Sequence, residues 1–137
     1  MTGNHHRRSA IDLFGGGVFL SAAIFVSPAF AVTGQELLQQ CEVVVRGARV
    51  AAETVTLPKG QAAAECWVYM GAIQDLTATV EVEGGPSVIG SCVPAATTRL
   101  EIVRAFVKYA RTHRDELRLR ATATLIRALR DIYACKD

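Results

Sequence analysis

The sequence predicts an all-α fold, a small bundle of four main helices arranged as two helical hairpins and stapled by two disulfides. Three observations carry this expectation. Apolar residues recur at three- and four-residue intervals over most of the chain beyond residue 32. Two capping boxes, Thr33-Gly34-Gln35-Glu36 and Thr98-Arg99-Leu100-Glu101, mark helix starts. Four cysteines, Cys41, Cys66, Cys92 and Cys135, all follow a segment that reads as an export signal, so they meet an oxidising compartment.

That segment is residues 1–31, read as a cleaved signal peptide. It has a basic start with Arg7 and Arg8, an apolar run from Leu13 to Val26, and Ala29-Phe30-Ala31 as a small-x-small cleavage site. The run is shorter than the roughly 20 apolar residues that span a bilayer, and Gly15, Gly16, Gly17 and Pro28 interrupt it. No membrane anchor is therefore expected after cleavage. No cysteine follows the cut to take a lipid, and Arg7-Arg8 lacks the fuller context of a twin-arginine signal. Sec-type export to a periplasm is the expected route. Residues 32–137 remain, about 106 residues, the common size of one domain with one core.

The first helix begins at Thr33 and places Leu37, Leu38, Cys41, Val44, Val45 and Ala48 on one face. Thr54 to Gly60 opens with β-branched residues and ends in Pro58 and Gly60, which oppose helix continuation, so it is expected as a loop. A second helix is predicted from about Gln61 to Thr79, with Ala62, Cys66, Met70, Ile73 and Leu76 facing the core and Trp67 and Tyr69 flanking them. Val80 to Ser91 is rich in turn formers and makes at most a short hairpin. The third helix follows the Thr98 box and buries Ile102, Val103, Phe106, Val107 and Ala110. Thr112 to Asp115 marks a break. The last helix, from about Asp115 to Ala134, carries Leu117, Ala121, Leu125, Leu129 and Ile132 inward.

Four cysteines permit three pairings, and the sequence alone does not choose among them. If the third and fourth helices form an antiparallel hairpin, Cys92 and Cys135 come to the same end, and Cys41 and Cys66 then tie the first two helices. A metal site is not expected, since no cysteines have C-x-x-C spacing and His113 is the one histidine beyond the leader. No cofactor motif is present. Gly84, Gly85 and Gly90 lack a phosphate-loop pattern and its lysine. Catalysis would have to use His113 at a helix junction or carboxylate pairs such as Asp115 and Glu116, which the helix dipole explains without chemistry. We expect no enzyme activity.

The formal net charge is +2, which gives no electrostatic reason for nucleic acid as a partner. Acids dominate between Val32 and Cys92, and arginines dominate from Arg99 onward, scattered around helices as solvated faces.

Gly34-Gln35-Glu36-Leu37-Leu38-Gln39-Gln40-Cys41, Cys66-Trp67-Val68-Tyr69-Met70-Gly71-Ala72-Ile73, Cys92-Val93-Pro94, Val107-Lys108-Tyr109, His113 to Leu117 and Tyr133-Ala134-Cys135 form a pattern over nearly all of residues 32–137. It resembles the small periplasmic immunity proteins of the Rap/Tai family, the resistance-associated and type VI amidase immunity proteins. Val68 stands where that family often has glycine, and Arg114, Arg120 and Ala134 replace its usual prolines. The resemblance implies an all-α fold and a binding role, occlusion of a peptidoglycan-hydrolase effector delivered by type VI secretion. It admits a homodimer.

An exported helical chaperone or envelope-stress protein without a cognate toxin is the rival reading. The candidate contact with a protein effector is the loop from Glu81 to Gly90, whose alternative reading is a solvated connector. Val88 and Ile89 serve there as apolar anchors, and Glu81 and Glu83 as acidic rim groups.

Overall fold

Both capping boxes form. The Glu36 N–H donates to Thr33 Oγ1 at 3.2 Å and the Thr33 N–H donates back to Glu36 Oε2 at 2.8 Å. The same reciprocal pair joins Thr98 and Glu101 at 3.3 and 2.7 Å. These bonds, the one from the threonine backbone first, hold both glutamate carboxyls below the ordinary value of 4.5. A group depressed in the folded state stabilises above its unfolded value, and that gain fades as pH falls through the lowered folded value. Replacing Thr98 with alanine should lower the melting temperature at neutral pH by roughly 4–8 °C, the effect of one lost N-cap. The gap between variant and parent should narrow in scans run progressively below pH 4.5.

The computed structural model describes residues 31–80, 83 and 85–136. The expected leader lies outside these residues except for Ala31, as does Glu81. Four helices carry the fold: α1 (Gly34–Gly47), α2 (Gln61–Ala78), α3 (Arg99–Thr112) and α4 (Ala121–Ile132). A 3-10 turn, Arg114–Arg118, sits between α3 and α4. The chain is thus mostly helical, as the sequence predicts, with one addition. Two short strands, β1 (Arg49–Ala51) and β2 (Thr54–Thr56), pair antiparallel with Val50 opposite Val55. The segment expected as a loop is therefore half of a β-hairpin. Its turn uses Ala52 at φ +52°, closed by a bond from Thr54 Oγ1 to the Ala51 carbonyl at 2.8 Å.

The core is continuous, and α1 is its centre, packing against α2, α3, α4 and the 3-10 turn. Phe106, Leu37, Met70, Ile102, Leu125 and Leu129 are its largest fully buried side chains. The predicted faces of α1 and α3 are inward, with Val45 and Ala48 only half-buried. In α2 the predicted Cys66, Met70 and Ile73 are buried, and the face differs at its two ends, where Ala63 and Thr77 replace Ala62 and Leu76. Its buried stripe is Ala63, Cys66, Met70, Ile73 and Thr77, each three or four residues from the last, and Leu76 falls one position off it, 40% exposed. At the far end, the predicted long last helix is split. Leu117 is buried from the 3-10 turn, the chain extends through Leu119 and Arg120, and α4 begins at Ala121, leaving Ile132 half out at its end.

That extended link has a purpose in the packing. Thr33 and Arg120 form an antiparallel bridge, with the Gly34 N–H donating to the Leu119 carbonyl and the Ala121 N–H to that of Val32, at 2.9 and 2.8 Å. A Cβ on Gly34 would lie 2.7 Å from Thr124 Oγ1 and 3.1 Å from the Leu117 Cα, so only glycine permits this approach.

Both disulfides form, Cys41–Cys66 and Cys92–Cys135, with Cα atoms 5.1 and 5.0 Å apart. The first ties α1 to α2 inside the core. The second ties the residue just before the α3 approach to the tail just after α4, as antiparallel packing of α3 and α4 requires.

Candidate functional site

Helix α2 is apolar on more than its buried side. Val68, Ala72 and Leu76 follow one another at four-residue steps on its outer face, Val68 being 71% exposed. The strip continues past the helix end. Val80 and Val88 are 46% and 45% exposed. A bridge between Val80 and Ser87, and a bond from the Val88 N–H to the Thr79 carbonyl at 2.9 Å, set them beside each other. Val68, Leu76, Val80 and Val88 are among the large apolar side chains most open to solvent in the described residues.

Beside the strip, between α1 and α2, lies a groove of about 730 Å³. Val32, Ala64, Val68, Tyr69 and Ala72 line it, and Glu36, Gln40 and Glu65 stand at its edge. Tyr69 is fixed by a hydroxyl bond to Thr122 Oγ1 at 2.6 Å. Glu65 accepts from the side-chain amides of Gln40 and Gln61 at 2.7 and 2.5 Å. Among the described residues, neither Glu36 nor Glu65 pairs with a cation. The ion pairs lie elsewhere, Glu42 with Arg46 and Arg111, and Glu116 with Arg127. The face is apolar in the middle and acidic at one edge.

The loop residues expected to bind a partner do not act as one group. Val88 points outward and Glu83 is exposed, while Glu81 lies outside the described residues. Ile89 is a correction. It is 6% exposed and belongs to the core, because the chain turns inward at Gly90 (φ +74°) and Arg130 Nε donates to the Ile89 carbonyl at 2.6 Å. The idea that Val88 and Ile89 both lack a place in the packing holds for Val88 alone. Ser87 and Ser91 close the turn with buried hydroxyls 3.1 Å apart.

The one described histidine is structural. The His113 ring stacks on Tyr109 with centroids 3.8 Å apart, and its Nδ1 lies 3.0 Å from both the Tyr109 carbonyl and Thr112 Oγ1. Burial, and then the hydrogen bond to Glu116, pushes the Tyr109 hydroxyl above its ordinary value. Among the described residues, no group of three or more His, Cys, Asp or Glu is placed to hold a metal ion, and no helix is long and apolar enough to cross a membrane.

Of the outer row Val68, Ala72 and Leu76, the sequence pattern assigns Leu76 to the core, and Val68 and Ala72 stand outside the predicted face. The signal was present as a second apolar row at i, i+4 and i+8, opposite the cysteine-bearing row of the same helix.

The fold is that of a small, disulfide-stapled helical protein with exposed apolar side chains on the outer side of α2. A family model described as Rap1a immunity proteins matches residues 33–135, and the chain belongs to that family. Membership makes it an immunity protein directed at a secreted protein effector, in a family that is generally non-enzymatic. No curated protein and no solved structure matches the chain.

Proposed function

We propose that the mature chain, residues 32–137, acts in the periplasm after removal of its leader, binding and occluding a cell-wall-degrading effector delivered by type VI secretion. One observation carries this reading beyond membership of the family: the exposed row Val68, Leu76, Val80 and Val88, which no internal packing explains. Occlusion requires surface, not chemistry. Apolar anchors in such a face supply most of the affinity, and rim acids such as Glu65 and Glu83 mainly affect association rate.

The loop remains part of the proposed contact in altered form. Val88 and Val80 act as its anchors, while Ile89 supports them from the core. In the double variant Val80→Ser/Val88→Ser, affinity for the cognate effector should fall about tenfold or more, as expected for a truncated anchor. The helical circular-dichroism signal and the melting temperature should barely change, since both side chains stand outside the core. Affinity retained in this variant would move the interface to the arginine-bearing faces of α3 and α4.

The wider reading is tested by presenting the exported, oxidised chain to a panel of type VI peptidoglycan hydrolases and measuring cell-wall hydrolysis. Inhibition of one enzyme at stoichiometric protein supports the proposal. If none is inhibited and the chain instead prevents aggregation of unfolded proteins, the exported chaperone takes its place. A second copy is the other occupant the α2 face admits, and sedimentation of the purified chain at several concentrations separates the two.

A further inference from the structure

The two disulfides differ in one respect that matters chemically. Cys41 and Cys66 are both 0% exposed. By contrast, Cys135 is exposed and Cys92 half-buried, at the outer end of the α3–α4 pair. Thiol–disulfide exchange begins with a thiolate approaching a sulfur along the bond axis, so its rate depends on access. A dithiol meets Cys135 in the native fold. It reaches Cys41–Cys66 only when α1 and α2 part, and that opening disrupts the centre of the core.

We propose that Cys92–Cys135 is a selectively reducible latch on the loop that carries Val88, and that Cys41–Cys66 is the permanent staple. The proposal rests on the assignment of that loop to effector contact, but its redox half does not. The step balances as follows. One thiolate of a dithiol attacks Cys135 Sγ, the S–S bond breaks, and Cys92 leaves as a thiolate and takes a proton. The reagent's second thiol then closes its own disulfide and releases Cys135, which is protonated in turn. Two electrons pass from the dithiol to the cystine.

The consequence for the loop follows from how it is held. The Cys92 N–H donates to the Tyr133 carbonyl at 2.8 Å, so bridge and hydrogen bond clamp the end of the loop to the segment just after α4. Tyr133 and the residues after it lie beyond α4, and Ala134, Cys135 and Lys136 are exposed. With the bridge open, the Val80–Ser87 bridge, the Val88–Thr79 hydrogen bond, buried Ile89 and the Arg130–Ile89 contact still hold the middle of the loop, and its Cys92 end keeps only the hydrogen bond to Tyr133. Helices α1 to α3 keep their staple and capping boxes. Reduction therefore loosens the Cys92 end of the contact loop and the tail after α4 without unfolding the bundle.

The test uses the oxidised mature chain and dithiothreitol as the dithiol, with timed alkylation and peptide mapping. Cys92 and Cys135 should become alkylated at least about tenfold faster than Cys41 and Cys66. Hydrogen exchange in the half-reduced protein should rise at residues 87–92 and 133–136 while α1 and α2 stay protected. Simultaneous reduction of both bridges, or earlier reduction of Cys41–Cys66, overturns the proposal, as does unchanged exchange in the loop. None of these measurements involves an effector, so a wrong functional assignment leaves them intact. Where an effector is in hand, unaltered affinity of the half-reduced chain, alongside a loosened loop, would remove the loop from the interface and leave the latch standing.

Discussion

Removing the buried bridge in the double variant Cys41→Ala/Cys66→Ala is expected to cost about 3.5 kcal/mol, the loop-closure entropy for a bridge spanning 25 residues. In a domain of this size that corresponds to a melting temperature lower by roughly 15–25 °C. The physical reason lies mainly in the unfolded chain, which gains the freedom the bridge denies it. The native state loses little, since alanine leaves only a small void where each sulfur stood. Alanine at both positions is the right test, because a single change would strand a thiol in the core. Thermal unfolding by circular dichroism gives the answer directly. An unchanged melting temperature would mean that α1 and α2 hold together in the unfolded ensemble as well, and that the chain-entropy account fails here.

An effect of similar size is expected at Phe106. Its ring is fully buried on α3 and is the largest wholly enclosed side chain in the molecule's described part. Truncation to alanine removes the transfer energy of the ring and leaves a cavity in a core whose helices, cross-linked by two disulfides, are not free to close it. About 3–5 kcal/mol should be lost, against a total near 5–15 kcal/mol for a domain of this kind. Phe106→Leu should cost under about half as much, because most of the volume is kept. Urea unfolding reads both, with an unchanged slope showing that the native state is still compact. A loss below about 1 kcal/mol for the alanine variant would show that the core relaxes around the site, contrary to its packing.

What could be read in the sequence, and what could not, divides along physical lines. Thr33 and Thr98 announced α1 and α3 because a capping box is local, needing only four consecutive residues. The pairing of Cys92 with Cys135 followed once α3 and α4 were taken as antiparallel. The β-hairpin was missed because its turn has neither Asn-Gly nor Asp-Gly, and Ala52 occupies the left-handed region instead. The middle of the α2 face, Cys66, Met70 and Ile73, is legible in the sequence, but its two ends are not, because the helix is apolar on both sides. Ala62 or Ala63, and Leu76 or Thr77, fit a helical period equally well, and only packing against α1 decides between them. Ile89 was misplaced for a related reason. Its burial depends on Arg130, far away on α4, reaching back to its carbonyl, and no local pattern records such a contact. The strip on α2 shares the ambiguity of the helix, since an exposed apolar row and a buried one look alike until the neighbours are known.

The bridge between Thr33 and Arg120 has a bearing on how such a chain is made. The first helix begins on hydrogen bonds supplied by the residues that lead into the last one, at Leu119 and Ala121. Contacts so distant along the chain form late and slowly, because the intervening segment must be gathered before they are gained. While the chain is still emerging, α1 has its cap but lacks its seat. Such a polypeptide stays loose until its C-terminal third arrives, a property that would suit the export proposed for it. Val32 also leaves no slack between a leader ending at Ala31 and the finished fold. If a leader is removed after Ala31, as proposed, the cut is expected on the loose form, before the last helix docks against Val32.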